Sequence, residues 1–150
     1  MQKKKRLSFI IAVMMVFAIF CAVPSATAAS QLSDVSGHWA EIQIQCVVDQ
    51  GIATGYPDQT FKPTNAITRA EFITMANRAF SFTETADINY SDVAAGDWYA
   101  TEIAKAKAAG YIAGYEDGTM KPNAEISRQE VAKIMATILK LDISNGVIEY

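Results

Sequence analysis

The sequence predicts a mostly α-helical protein made of two tandem helix–loop–helix repeats. Twelve residues between Trp39 and Phe80 recur in the same order 59 positions further along the chain, and self-similarity at a fixed period is the signature of a repeat architecture. Within each repeat, two segments carry apolar residues at helical spacing. The segment between them is rich in Gly, Pro and Asp, which indicates turns. We expect short loops, or at most minimal strands, between the helices.

The first 28 residues are predicted to be a secretory signal peptide and not part of the fold. The basic start MQKKKR precedes the apolar run LSFIIAVMMVFAIFCAV, and small residues lead up to Ala28. This order is typical of an export signal that is cleaved after the small residues. The alternative is an uncleaved membrane anchor, because the apolar run is fairly long. Because the small residues favour cleavage, we expect a secreted mature chain that contacts the membrane only through the signal peptide before its cleavage.

Removal of the signal peptide leaves an acidic chain. Four of the thirteen basic residues lie in the signal peptide, so nine remain against sixteen acidic residues, a formal net charge of 9 − 16 = −7. Such a chain has no net positive field that attracts nucleic acid, so local geometry must hold any bound anion. One cysteine, Cys46, remains and cannot form an internal disulfide. Its position in a predicted helix favours a buried apolar role.

The repeat period sets the domain boundaries. We assign residues 29–86 to repeat 1 and residues 87–145 to repeat 2. Residues 81–89 have weak periodicity and are interpreted as the linker between the repeats. Residues 146–150 are interpreted as the start of a linker to a third repeat, because the sequence there resembles the approach to repeat 2.

Each repeat is expected to contain two helices. The first helix of repeat 1 is predicted over residues 39–50, where four apolar residues share one helical face, and its counterpart in repeat 2 keeps part of this spacing. The second helices are predicted over residues 69–80 and 128–139, and both follow the i, i+3, i+4, i+7 pattern. Residues 60–62, in the loop of repeat 1, are a candidate for a very short strand.

The pentapeptides ITRAE at residues 67–71 and ISRQE at residues 126–130 mark the starts of the second helices. Thr68 at the N-cap and Glu71 three residues later can exchange hydrogen bonds as a capping box. Such a cap stabilises a helix by about 1 kcal/mol. The second pentapeptide repeats the pair as Ser and Glu. The arginine between them is not explained by capping, since the helix dipole disfavours a cation at that end.

Arg69 and Arg128 are therefore the principal candidates for ligand binding. The ordinary explanation is that each arginine pairs with the neighbouring glutamate or packs its aliphatic stem on the loop. Its recurrence at the same position favours a use instead. Free amides at a helix N-terminus attract an anion, and an added guanidinium makes a two-pronged clamp for a carboxylate or phosphate.

Other recurring residues are candidates for the same site. The tryptophans at the start of each first helix are explained most simply by core packing. The alternative is a flat platform for a sugar ring, beside an aspartate and a Gly-Tyr loop in which glycine lets a ligand approach the backbone. These candidates are Trp39, Trp98, Asp34, Asp92, Gly55, Tyr56, Gly114 and Tyr115.

No catalytic or metal-binding set recurs in the two repeats. His38 is the only histidine, and Asp97 occupies its place in repeat 2. Asp58 and Asp117 resemble fragments of a calcium loop but lack the further acidic ligands, so turns are favoured. We expect no enzyme activity, no metal site and no cofactor.

The repeats resemble the S-layer homology domain of bacterial surface proteins. The first repeat carries SDVSGHWAEIQI, QGIATGYPDQTFKP and ITRAEFITMANRAF. The second carries SDVAAGDWYATEIAKAKAAGYIAGYEDGTMKP and ISRQEVAKIMATILKL. The resemblance covers about 120 residues, essentially everything after the signal peptide.

This resemblance implies a non-covalent anchor in the bacterial cell wall or S-layer. Members bind secondary cell-wall polysaccharide, which often carries pyruvate ketals whose carboxylates need a cation. The family's grooves lie between adjacent repeats and use the motif arginine, the tryptophan and the Gly-Tyr loop. Carried to this sequence, those are Arg69, Arg128, Trp39, Trp98, Gly55, Tyr56, Gly114 and Tyr115.

The number of repeats departs from the family pattern. The family usually has three repeats around a pseudo-threefold axis, whereas two are found here. We therefore expect a partial bundle and name a third repeat or another copy of the chain as a further partner. The alternative function is an extracellular protein–protein interaction module of helical-repeat type, with Trp and Tyr as contact anchors.

Overall fold

A computed structural model of the protein describes residues 32–141. The predicted signal peptide, the first residues of repeat 1 and the predicted linker after repeat 2 lie outside the described residues. Four helices form in chain order: α1 Glu41–Asp49, α2 Arg69–Ala79, α3 Ala100–Ala108 and α4 Arg128–Ile138. The mostly helical fold and the helix positions are confirmed. The pseudo-threefold arrangement stays a prediction.

Irregular backbone connects the helices. The predicted strand at residues 60–62 is wrong, because an aspartate carboxylate, and no second strand, accepts the hydrogen bonds of the amides there. Within residues 32–141 the β-pairing consists of one isolated antiparallel bridge, between Thr68 and Glu125. That bridge joins the two repeats just before α2 and α4 begin.

Capping boxes start α2 and α4, as predicted. Thr68 Oγ1 accepts from the Glu71 amide at 3.3 Å, and Glu71 Oε2 accepts from the Thr68 amide at 2.8 Å. Ser127 and Glu130 make the same exchange at 3.3 Å and 2.9 Å. Each box satisfies two of the amides that a helix start leaves without intrahelical partners.

The larger hydrophobic core crosses the boundary between the repeats. α2 of repeat 1 packs directly against α3 of repeat 2. Ile73, Ile103 and Met120 are fully buried in the cluster between them. A hydrogen-bonded network runs through it, because the Tyr111 hydroxyl donates to Asn77 Oδ1 at 2.6 Å and Asn77 Nδ2 donates to the backbone oxygen of Glu102 at 2.9 Å.

α1 contributes to a smaller core of its own. Ile44 packs with Leu32 and Val35, and Phe61 covers this cluster from the side. Cys46 is exposed, so its predicted burial is wrong. Two residues along an α-helix correspond to about 200° of rotation, which places Cys46 on the face opposite to Ile44.

The segment between the repeats is fixed to α3. The Ala86 amide donates to the Ala104 carbonyl at 3.1 Å, and Lys107 Nζ donates to the Asp87 carbonyl at 2.7 Å. Phe82 and Ile88 also pack on the larger core. This linker therefore holds the two repeats in one arrangement.

Candidate functional site

An aspartate from the start of each repeat holds the Gly-Tyr loop of that repeat. Asp34 accepts hydrogen bonds from the amides of Phe61 at 2.8 Å and Lys62 at 2.7 Å, and Asp92 accepts from the equivalent amides of repeat 2 at the same distances. The Phe61 amide lowers the pKa of the Asp34 carboxyl. Both carboxylates are therefore engaged in loop closure, a role that the sequence interpretation did not foresee.

The loop glycines are needed where the chain doubles back. Gly55 and Gly114 have φ of +71° and +80°, a region that other residues adopt at a steric cost. A Cβ on Gly55 would lie 2.6 Å from Leu32 Cδ2 and 2.8 Å from the Thr60 carbonyl oxygen. The glycines thus act by allowing close packing, which sets the position of the tyrosine that follows each of them.

Each of these tyrosines forms the same group of contacts. The Tyr56 hydroxyl donates to Glu71 Oε1 at 2.7 Å, and the Lys62 ammonium lies 4.3 Å from the centre of the Tyr56 ring. In repeat 2 the Tyr115 hydroxyl donates to Glu130 Oε1, and Lys121 lies 4.2 Å from the Tyr115 ring. We call each Tyr–Glu–Lys group a half-site.

The half-site of repeat 2 contains the arginine of repeat 1. Arg69 is 5% exposed. Its Nη1 donates to Glu130 Oε1 at 2.8 Å, its Nε donates to the Met120 carbonyl at 3.0 Å, and its guanidinium lies 4.9 Å from the Tyr115 ring centre. Hydrogen bonds from Tyr115 and from the Ser127 amide, with the nearby guanidinium, lower the pKa of Glu130 to about 2.

The backbone at the start of α2 also donates hydrogen bonds to repeat 2. The amides of Arg69 and Ala70 donate to the carbonyls of Ala124 and Pro122, each at 2.9 Å. Both prongs of the anion clamp predicted at Arg69 are therefore used inside the chain. The prediction that Arg69 grips an external anion is contradicted, because its guanidinium and the adjacent helix amides are buried and paired.

Arg128 has different surroundings from Arg69. It is exposed, and no carboxylate among residues 32–141 lies within ion-pair distance of it. The half-site of repeat 1 has the converse property, because no arginine of the described part of the chain bonds to Glu71 or packs on the Tyr56 ring as Arg69 does in repeat 2. One motif arginine is thus structural and the other faces solvent.

A cleft of about 740 Å³ opens beside the half-site of repeat 1. Its walls include Gly55, Tyr56 and Lys62 from repeat 1, Arg78 near the end of α2, and Trp98 from repeat 2. Trp98 is 62% exposed, so core packing does not explain it. The cleft brings the Gly-Tyr loop of one repeat together with the tryptophan of the next.

Trp39 lies outside this cleft, although it is 87% exposed. Its ring contacts His38, with 5.5 Å between the ring centres. His38 Nδ1 accepts from the Ala40 amide at 3.2 Å. The sequence interpretation missed Arg78, since this residue has Thr137 as its counterpart in repeat 2 and the repeat comparison selects only recurring residues.

The cleft combines a flat aromatic face with cations. An exposed indole ring can pack against the apolar face of a sugar. The exposed Arg78 guanidinium can pair with a carboxylate in a bidentate manner. Lys62, whose ammonium lies 3.4 Å from Asp58 Oδ2, is a second cation in the cleft wall. The Glu71 carboxylate is engaged by Tyr56 and by the helix cap. This arrangement is suited to an acidic carbohydrate.

Acidic residues of the described chain, residues 32–141, form turns and not a metal site. In that range no group of three or more His, Cys, Asp or Glu side chains could hold a metal ion. Asp58 and Asp117 form turns as predicted, since each accepts hydrogen bonds from the threonine two residues later. None of the helices described is long and apolar enough to cross a membrane.

Comparison with known proteins gives matches over both repeats. The family model described as the S-layer homology domain matches residues 31–73 and 89–132. Cell surface glycoprotein 1 of Acetivibrio thermocellus is 38% identical over 133 residues. The Surface-layer 125 kDa protein of Lysinibacillus sphaericus is 34% identical over 131 residues, and the Cellulosome-anchoring protein of Acetivibrio thermocellus is 36% identical over 120 residues.

These relatives are much longer than the region of similarity. The matches cover 81%, 85% and 75% of this chain, in the order given, but only 6%, 11% and 27% of the three relatives. The similarity therefore concerns one module of larger proteins.

Proposed function

Because this chain belongs to the S-layer homology domain family, we propose that it anchors an exported protein to the bacterial cell wall by binding a secondary cell-wall polysaccharide non-covalently. Its similarity to surface-layer, cell-surface and cellulosome-anchoring proteins supports a place in the cell wall or S-layer. The observation that carries the proposal is the cleft in which Tyr56, Arg78 and exposed Trp98 face the same space. Binding, and no chemical reaction, is the activity proposed.

The charges in the cleft indicate which kind of polymer it can bind. The mature chain carries a net charge of −7, so an anionic ligand must be held by local cations and not by the overall field. Arg78 and Lys62, which both line the cleft, supply two such cations. We assign the sugar ring to the Trp98 face and the acidic substituent, a pyruvate ketal in the form implied by the family, to Arg78.

Co-sedimentation with purified cell-wall sacculi tests this function. The protein should sediment with intact sacculi and remain in solution once the secondary polymer has been removed chemically. Trp98→Ala should reduce binding by roughly tenfold or more, because loss of one sugar–aromatic contact costs about 1–3 kcal/mol, as an aromatic anchor does at other interfaces. Arg78→Ala should weaken binding to the charged polymer.

Trp39→Ala is the matched control, because Trp39 is an even more exposed tryptophan and lies outside the cleft. This variant should sediment with sacculi as the unmodified protein does. Retention of binding by Trp98→Ala and Arg78→Ala would remove the cleft as the binding site.

A protein–protein interaction module is the second candidate function. Trp39 and Ile42 at the start of α1 are 87% and 80% exposed, and exposed aromatic side chains are common anchors of protein interfaces. Under this alternative, sedimentation with sacculi survives removal of the polymer and is lost after protease treatment of the sacculi.

A further inference from the structure

We propose that a second copy of this chain docks head to tail, with Arg128 of one copy packed on the Tyr56 ring and bonded to the Glu71 carboxylate of the other. Each chain then supplies one arginine donor from repeat 2 and one acceptor half-site from repeat 1. The contact would repeat, between copies, the junction that already joins the two repeats within the chain.

The internal junction provides the pattern. Its donor side is the start of α2, where the Arg69 side chain and the amides of Arg69 and Ala70 all point into repeat 2. Its acceptor side is the Tyr115–Glu130 half-site and the carbonyls of the loop that follows it. In addition, the Ile126 amide donates back to the Ile67 carbonyl at 3.0 Å.

The acceptor side exists a second time, in repeat 1. Subtracting the period of 59 residues converts Tyr115 and Glu130 into Tyr56 and Glu71, which already share a hydrogen bond of 2.7 Å. It converts the acceptor carbonyls of Met120, Pro122 and Ala124 into those of Phe61, Pro63 and Asn65. Within residues 32–141, none of these three repeat 1 carbonyls accepts a backbone hydrogen bond beyond the helices.

Burial shows that this acceptor face is uncovered. Met120 and Pro122 are buried beneath the start of α2, whereas Phe61 and Pro63, their counterparts in repeat 1, are half-buried. The start of α2 from the neighbouring repeat lies over the first pair, whereas no repeat of the described chain lies over the second in this way. A second copy placing its α4 there would cover Phe61 and Pro63 in the same way. These two residues also line the cleft assigned to the polymer, together with Tyr56 and Glu71, so the docked copy would compete with the polymer for this cleft.

The donor side also exists a second time, at the start of α4. Arg69 and Ala70 are buried, whereas their counterparts Arg128 and Gln129 are exposed. The amides of Arg128 and Gln129 make no backbone hydrogen bond to another segment of the described chain. Donor and acceptor are thus present once each per chain, which is the stoichiometry that a contact between copies requires.

The hydrogen-bonded pair behind the internal junction has apolar counterparts at the second junction. Within the chain α2 packs on α3, so across the copies α4 would pack on α1. The buried pair Asn77 and Tyr111, which hydrogen-bond across the internal junction, is replaced at the second junction by Ala136 and Ile52. Both polar partners are exchanged for apolar ones together, so neither of these two positions leaves a polar partner unpaired.

The contact would also complete a second cleft, an extension that rests on the proposed function. The internal cleft pairs the loop of repeat 1 with Trp98 of repeat 2. Shifted by one period, the loop of repeat 2 in one copy would be paired with Trp39 of the other copy. This would give the exposed Trp39 the position that Trp98 occupies within the chain.

Sedimentation velocity of the secreted chain, without polymer and over a wide range of protein concentration, tests the proposal. The unmodified protein should associate as its concentration rises. Arg128→Glu should lower the association constant by at least about tenfold, because it places a carboxylate against Glu71. Lys140→Glu is the matched control, because it reverses the charge of another exposed residue close to α4. Its counterpart in repeat 1, Ser81, is exposed and lies outside the internal junction. The Lys140→Glu variant should associate as the unmodified protein does.

A mixing experiment identifies the head-to-tail geometry. Arg128→Glu removes the donor, and Tyr56→Ala combined with Glu71→Gln removes the acceptor while Gln can still close the capping box. Each variant alone should remain monomeric, and their mixture should form a pair that cannot grow further, because a heterologous contact needs one donor and one acceptor. Thermal unfolding checks that both variants are folded, and Arg128→Gln replaces Arg128→Glu if the latter is not.

Absence of association in the unmodified protein, association that Arg128→Glu leaves unchanged, or failure of the mixture to pair would each overturn the proposal. Since no polymer is present in these experiments, such a result would leave the proposed wall-binding function standing. Conversely, if the unmodified protein does not sediment with sacculi, the proposed wall-binding function is contradicted, but the proposed self-association is not.

Discussion

Arg69 and Arg128 show how strongly surroundings determine what a residue does. Each arginine follows an N-cap residue with a hydroxyl group and precedes the glutamate of a capping box by two positions. Arg69 is nevertheless buried against a half-site, whereas Arg128 is exposed. A cation at a helix start is disfavoured by the helix dipole. At Arg69 the Glu130 carboxylate and the Met120 carbonyl offset that cost, because they lie in a largely desolvated site.

This difference predicts opposite results for one substitution. Arg69→Ala should destabilise the protein by about 3 kcal/mol, because it leaves a partly buried carboxylate and a buried carbonyl without their partner. Arg128→Ala, the matched change at an exposed position, should change the free energy of unfolding by less than about 0.5 kcal/mol. Urea unfolding at low protein concentration measures both, and equal effects would show that Arg69 is not the structural arginine.

Glu130 should make the stability depend on pH in the acid range. Its pKa in the folded protein is about 2, against an ordinary value of 4.5, so the unfolded chain binds the proton more tightly. The stabilisation is complete above the ordinary pKa and is lost as the pH falls from about 5 towards about 2. We expect a loss on the order of 2 kcal/mol over that range.

Glu130→Gln isolates this contribution, because Gln keeps the shape of the capping box but does not titrate. The variant should be less stable than the unmodified protein near neutral pH, and the two urea midpoints should converge as the solution is acidified. A constant difference between them at every pH would contradict the assignment.

At the scale of the helices, the packed unit is a pair that belongs to two repeats. α2 and α3 bury the network of Asn77, Tyr111 and Glu102 between them. Asn77 is 2% exposed, so its amide must find partners within the protein. Repeat 1 supplies three and repeat 2 supplies seven of the ten buried apolar residues of this core, so the core is complete only when both repeats are present.

Asn77→Ala should therefore cost about 2–3 kcal/mol, because it leaves the Tyr111 hydroxyl and the Glu102 backbone oxygen without a partner. Tyr111→Phe should cost less, and the double variant should cost less than the two single changes summed, since the residues act on one another. Differential scanning calorimetry of the three variants provides the comparison. Strict additivity would mean that the two side chains do not share a network.

The helices could be predicted because their signals are local. ITRAE and ISRQE specify a helix start through contacts within five residues, and the structure forms both capping boxes. The destination of Arg69 depends on a half-site 61 positions away at Glu130, and no local pattern contains that information. For the same reason the predicted burial of Cys46 is wrong. The local pattern predicts the helix that contains Cys46, but it does not show that Cys46 lies on the exposed face of that helix.

The candidate site was predictable only in part. The recurring residues Tyr56 and Trp98 do meet in one cleft, as the comparison of repeats with a known family implied. Asp34 and Gly55 recur because the loop needs them, so recurrence could not separate loop closure from binding. Arg78 could not be found in this way, because it occurs in one repeat only.

At the scale of the whole molecule, the two repeats together complete the larger core and the cleft. The arginine of one repeat fills the half-site of the next, and the tryptophan of the next repeat forms one wall of the cleft of the first. A binding surface built in this way exists only where two repeats are joined. The described chain contains one such junction, and the proposed wall anchor rests on the cleft there.

Tryptophan fluorescence tests that claim most directly, because the chain contains two tryptophans and each can be removed in turn. With Trp39→Phe, the remaining emission comes from Trp98, and titration with purified secondary cell-wall polysaccharide at low protein concentration should shift it to shorter wavelength in a saturable manner. With Trp98→Phe, the emission of Trp39 should not respond at that concentration. A response of Trp39 without one of Trp98, or binding of the polymer that leaves the Trp98 emission unchanged, would contradict the assignment of the cleft.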